Sequence, residues 1–118
     1  MTDPAITVFH NPACGTSRKT IELLREQGIE PTIVEYLTVG WTVPQLVDLL
    51  ARMGATPQDI LRVRGTEAEA LGLTDPATPD DVILRAMAAD PILVNRPIVV
   101  TPKGAALCRP QEQVLNLL

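Results

Sequence analysis

The apolar positions of this 118-residue chain follow two rhythms. Residues 5–9, AITVF, form a β-branched run that stops at a turn, which predicts a short buried strand. In TSRKTIELLREQG, 16–28, Ile21 and Leu24 share a helical face and Gly28 stands where a C-cap belongs, so the spacing predicts a helix. PTIVEYL, 31–37, predicts a second strand. Strand, helix and strand together have the length of a βαβ unit with parallel strands. In TVPQLVDLLARMG, 42–54, Leu46, Leu49, Leu50 and Met53 recur at i, i+3, i+4 and i+7. Thr42 with Gln45 adds a capping box, and the next helix is placed there. Thr56-Pro57 and Thr78-Pro79 each set a cap residue before a proline at the first helical position. They announce helices near 57–62 and 79–89, with a further short helix at 67–71. RPIVVTPKGAALCRP, 96–110, predicts a hairpin of Ile98–Thr101 and Ala105–Cys108 joined through Pro102-Lys103-Gly104. QEQVLNLL, 111–118, predicts a closing helix. No repeat, low-complexity tract or linker interrupts the pattern.

The order β-α-β, several helices, then β-β-α puts helices against a small mixed sheet. That is an α/β sandwich of thioredoxin type with a helical insertion in its middle. One domain over 1–118 fits the length, and a chain of this size buries roughly two thirds of its unfolded surface. Hydrophobic residues make up 46% and aromatic ones 3%, so aliphatic side chains must fill the core. The net charge of −4 argues against a nucleic-acid partner. No apolar run approaches the ~20 residues of a membrane span, and the acidic start MTDPAITVF is too short for a signal peptide. Two cysteines without regular spacing, Cys14 and Cys108, predict free thiols and a reducing cytoplasm. No metal-ligand spacing stands out.

Chemistry concentrates in FHNPACGTSRKT, residues 9–20. A thiolate, not a thiol, is the nucleophile, and a free cysteine of pKa ~8.5 is only a few per cent ionised at pH 7. The unpaired N–H groups and positive dipole end of a helix N-terminus favour the anion. Cys14 precedes the helix, with Arg18 one turn in and Lys19 beside it. The amides of Gly15, Thr16 and Ser17 suit a bound oxyanion, and Gly15 has no side chain to block the approach. The alternative is a buried, inert cysteine at a strand end. His10 either lowers the thiol pKa, orients the loop, or bonds backbone at the strand end. Ser17 stands where a C-x-x-C motif has its second cysteine, so no dithiol cycle runs between those positions. Arg62, Arg96 and Arg109 stand out by context, and a guanidinium fork suits oxyanions. Taken singly, each reads more readily as a surface residue, and spacing alone does not show that they converge on Cys14.

HNPACGTSR (10–18), NRPIVVTP (95–102) and LCRP (107–110) resemble the thioredoxin-fold arsenate reductases that use glutathione and glutaredoxin. EPTIVEYL (30–37) and DILRVRG (59–65) fit in order, so the resemblance covers nearly the whole chain. It implies that Cys14 attacks arsenate, that glutathione displaces oxygen at arsenic, and that glutaredoxin removes the glutathione as arsenite forms. It implies no bound cofactor, with glutathione as co-substrate. Arg62, Arg96 and Arg109 match the family's three anion-binding arginines. His10, Ser17 and Arg18 match its cysteine-loop residues, and Pro97 its cis-proline. Trp41 and the end at Leu118 depart from the pattern of some members. Two rival readings remain: a glutaredoxin-like thiol enzyme on another substrate, and a regulatory module of the Spx-like kind, whose C-x-x-C switch Ser17 removes.

Overall fold

The β-branched run at the N-terminus becomes the hub of a four-stranded sheet. The computed structural model describes residues 2–118; Met1, the first residue of MTDPAITVF, lies outside the described residues. β1 (Asp3–His10), β2 (Pro31–Glu35), β3 (Ile98–Thr101) and β4 (Gly104–Leu107) lie in the order β2-β1-β3-β4. β1 runs parallel to β2 and antiparallel to β3, and β3 and β4 form a hairpin. Val8 stands opposite Ile33 on one side and Val99 on the other, while His10 pairs with Glu35 at the strand end. α1 (Gly15–Glu26) turns Ile21 and Leu24 onto Ile6, Val8 and Val99, where Cys108 and Val114 complete the cluster. Burial of each such aliphatic side chain contributes about 1.5–3 kcal/mol, so this layer fixes where the N-terminus of α1 sits.

The chain divides into two compact units. One comprises the residues up to Val39 together with Arg96–Leu118, and holds the sheet; the other is Gly40–Asn95. The second unit is the helical insertion, with α3 (Val43–Met53) and α4 (Asp80–Ala89) in contact. The expected α3 cap is present: Gln45 N donates to Thr42 Oγ1 at 3.3 Å, and Thr42 N to Gln45 Oε1 at 3.5 Å. Gly54, at φ +64°, ends the helix in the left-handed conformation that favours glycine. Leu46, Leu49 and Leu50 are buried as the stripe requires.

Several boundaries differ from the sequence pattern. β2 stops at Glu35 and the chain makes a single helical turn, α2 (Tyr36–Val39), which buries Tyr36. A short apolar run cannot distinguish the two geometries by its period. The helix expected at 57–62 is one 3₁₀ turn, Pro57–Ile60. Beyond it the backbone pairs sideways: Arg62 N donates to Leu93 O and Asn95 N to Ile60 O, each at 2.7 Å. That bridge takes the groups a longer helix would use. Residues 67–71 are hydrogen-bonded turns, bracketed by Gly65 and Gly72, both at positive φ. Thr78 Oγ1 donates to Gly72 O at 2.6 Å, and Pro79, not Thr78, is the N-cap of α4. An unforeseen 3₁₀ turn covers Pro91–Leu93, and the closing segment Gln111–Leu117 is 3₁₀ rather than α. The hairpin turn is Pro102-Lys103, one residue shorter than expected, and leaves Cys108 just past β4. The Arg96–Pro97 and Arg109–Pro110 peptide bonds are cis.

Candidate active site

β1 ends by delivering the chain into a tight loop, and the loop ends in a helix. Asn11 organises the turn: its carbonyl accepts Cys14 N–H and its side-chain Oδ1 accepts Ala13 N–H, both at 2.9 Å. Cys14 is the N-cap of α1, with extended backbone, and its carbonyl accepts the first helical bond from Arg18 N at 3.0 Å. Its side chain caps nothing, so Sγ is left for other donors. Arg109 Nη1 donates to Sγ at 3.5 Å and, by the same nitrogen, to Arg96 O at 2.9 Å. The Ser17 amide and the Arg96 guanidinium also favour the thiolate. Burial pushes the thiol up. The Ser17 amide, the two guanidinium contacts and the Arg96 charge together outweigh it and bring the pKa down from its ordinary value to about 7.

The amides of Gly15 and Thr16 have no acceptor among the described residues. They lie beside a thiol that Arg96 and Arg109 reach from the β3–β4 side, a set of donors suited to an anion held against sulfur. A methyl group built on Gly15 would meet Arg18 Nη2 at 3.8 Å, ordinary van der Waals contact. The fold therefore does not demand glycine there.

His10 and Ser17, both buried, hydrogen-bond through Nδ1 and Oγ at 2.5 Å, and Ser17 Oγ also accepts Asn11 N–H at 3.2 Å. Ser17 is thereby pinned by its side chain while its amide faces the thiol. Burial lowers the His10 pKa; Glu35 opposes this and Arg18 adds to it. Arg18 itself turns back over the loop, donating Nη1 to Pro12 O at 2.7 Å. The cationic contacts on Cys14 come instead from Arg96 and Arg109.

Arg62 belongs to the other unit, where Nε donates to Arg64 O at 3.1 Å and Nη1 to Asn95 Oδ1 at 3.4 Å. Sequence reasoning passed over Asn11, although its Asn-Pro dipeptide is a turn signal. Cys108 is fully buried in the apolar cluster beneath α1, and burial pushes its thiol up to about 12. Among the described residues no group of His, Cys, Asp or Glu could hold a metal ion, and no helix is long and apolar enough to cross a membrane.

The chain matches known proteins over nearly its full length. The ArsC family pattern matches residues 9–117. An arsenate reductase of Synechocystis is 49% identical over 118 residues, all of this chain and 82% of that protein. An arsenate reductase of Escherichia coli is 50% identical over 113 residues, covering 96% of this chain and 80% of its own length. The structure of an arsenate reductase from Vibrio cholerae superposes with a TM-score of 0.91 at 36% identity, covering 98% of this chain and 100% of that one.

Proposed function

Because the chain belongs to the ArsC family and shares its thioredoxin-like α/β fold, we propose that it is an arsenate reductase, converting arsenate to arsenite through the Cys14 thiolate. The observation that carries this reading is the thiol itself: its pKa of about 7 is set by the Ser17 amide, Arg96 and Arg109 at a helix N-terminus. Sulfur attacks arsenic, and one oxygen leaves as water after protonation. The open amides of Gly15 and Thr16, with Arg96 and Arg109, take the charge on the remaining oxygens. The family's three-arginine pattern also names Arg62, which belongs to the other unit. His10, Ser17, Arg18 and Pro97 support the loop and its facing strand.

Two thiols supply the two electrons. The glutathione thiolate displaces a second oxygen from arsenic, again as water. A glutaredoxin thiolate then attacks the glutathione sulfur. The sulfur–arsenic electron pair passes to arsenic, which falls from As(V) to As(III), and a mixed disulfide leaves. Water finally releases arsenite from Cys14. No resident cofactor takes part; glutathione is a co-substrate, and the reducing cytoplasm that supplies it suits two free thiols. The reading treats 1–118 as one catalytic domain.

An NADPH-coupled assay with glutathione and glutaredoxin tests it, with arsenate compared against phosphate and sulfate. Turnover should require arsenate and vanish in Cys14→Ser. Equal turnover without arsenate, on a glutathionylated disulfide, would assign the chain to general thiol exchange instead.

A further inference from the structure

A cavity of about 250 Å³ opens between α1 and the edge strand β2, lined by His10, Arg18, Ile21, Glu22, Arg25 and Ile33. Neither Cys14 nor the arginines that contact it line it, so it is separate from the oxyanion cradle. It begins next door, however. Arg18 lies four residues after Cys14, about 6 Å along the helix axis, well inside the ~10 Å span of an extended tripeptide.

One residue of the lining has an uncommitted ring nitrogen. His10 is 8% exposed, and its ring nitrogen Nδ1 is taken by Ser17. Ser17 Oγ already accepts Asn11 N–H, and its own hydrogen has no other acceptor among the described residues, so it goes to Nδ1. A neutral ring then carries its hydrogen on Nε2, which has no partner among the described residues, and His10 lines the cavity. Arg18 has spent one nitrogen on Pro12 O, and Arg25 spends Nε and Nη2 on Glu30. Both guanidiniums retain donors. Between them on the same helical stripe, at i+4 from Arg18, Glu22 offers a carboxylate. Ile21 and Ile33 supply an apolar wall.

Cation, anion and aliphatic wall together suit a zwitterionic aminoacyl group. We infer that this cavity receives the carboxylate-and-ammonium end of the small peptide thiol that reduces the Cys14 adduct: Arg18 and His10 Nε2–H take the carboxylate, Glu22 takes the ammonium, and Ile33 covers the methylenes. The inference rests on the arsenate-reductase reading for the identity of that thiol. A thiol must come from outside, because Cys108 is fully buried and position 17 is serine.

His10 is the chain's one histidine, so its ring proton signals report the cavity without any turnover. S-methylglutathione, which cannot react, is titrated into the Cys14→Ser protein and the ring signals are followed by NMR. The signals should shift saturably, phosphate at equal concentration should not reproduce the shift, and Ile33→Trp, which fills the cavity from an exposed edge position, should abolish it. In the coupled assay Ile33→Trp should raise the apparent KM for glutathione about tenfold and leave that for arsenate within about twofold. Silent His10 signals, or Ile33→Trp binding S-methylglutathione like the parent, would overturn the site. An equal shift with phosphate would make it a general anion pocket and overturn the thiol assignment. Failure of the parent to reduce arsenate would remove the functional reading, while the NMR titration still decides whether the cavity binds the peptide.

Discussion

A thiol with a pKa of about 7 is half ionised at neutral pH, where an ordinary cysteine is almost wholly protonated. Alkylation of Cys14 by iodoacetamide should therefore show a midpoint near that value, and Arg109→Ala should move it upward, since one hydrogen-bonded cation is gone. A midpoint unchanged by Arg109→Ala would show that the 3.5 Å contact does not govern the thiol. The same shift has a sign in stability. The folded thiol ionises below its unfolded value, so its contribution is full above the unfolded pKa of ~8.5 and is lost as pH falls through about 7. In urea titrations the parent should gain stability over Cys14→Ser between about pH 6 and 9; a flat difference would contradict the shift. For turnover, Arg109→Lys should lower kcat/KM by about 2.7–4 kcal/mol, by analogy with loss of one oxyanion-hole donor. A lysine ammonium is a point charge without the planar fork that engages an oxyanion by two parallel bonds. The helix N-terminus behind Cys14 was legible from residues 10–18 alone, because the thiol, glycine and hydroxyls are contiguous. The approach of Arg109 was not. It comes from 95 positions away, and only the register of the β3–β4 hairpin determines which way it faces. Arg18 shows the converse: it is adjacent in sequence, yet one nitrogen of its guanidinium turns back to the Pro12 carbonyl.

Elements that bury a long stripe declared themselves; elements one turn long did not. α3 was legible because its apolar period and both ends agree: capping box at Thr42 and Gln45, glycine at 54. Thr42→Ala should cost about 1 kcal/mol, a fall of several degrees in Tm for a chain of this size. The cap belongs to the insertion, so calorimetry should register the loss while the Cys14 alkylation midpoint stays put. A moved midpoint would mean that α3 and the nucleophile loop are coupled. The 57–62 segment has an equally good start, Thr56 before Pro57 with Asp59 Oδ2 accepting Thr56 N–H at 2.7 Å. It stops after one turn because Leu61 bridges to Val94, a partner more than thirty positions away. Propensity set the start and a long-range hydrogen bond set the end. The segment after Thr78 fails as a Thr-Pro cap for a similar reason: its hydroxyl is already engaged by Gly72 O. Local sequence signals choose among local alternatives, and backbone pairing from afar overrides them wherever an element is too short to bury a face of its own.

Across the whole molecule the charges are unevenly shared. Residues 40–95 contain eight acidic and four basic side chains, whereas the residues that carry the sheet and the nucleophile contain six of each. The net charge of −4 thus sits in the insertion, and the unit holding Cys14 does not repel an oxyanion through its own excess charge. The same division of chemistry applies to the two thiols. Cys14 is held by two guanidiniums and ionises at about 7, while Cys108 has no charged neighbour lowering it, lies among Ile6, Val8, Leu24 and Val99, and ionises at about 12. At any physiological pH Cys108 is a protonated apolar filler. It cannot serve as the second electron donor, because attack requires a thiolate and an open path, and burial removes both. Cys108→Ala should therefore leave arsenate turnover with glutathione and glutaredoxin near the parent level. It should also lower Tm, because the vacated sulfur volume lies in the layer that seats α1. Retained activity with reduced Tm assigns Cys108 to packing and leaves every electron to come from external thiols. Collapse of turnover, with a Cys14–Cys108 disulfide found by mass spectrometry after arsenate treatment of the parent, would show that the core opens during the cycle and that reduction runs through an internal relay.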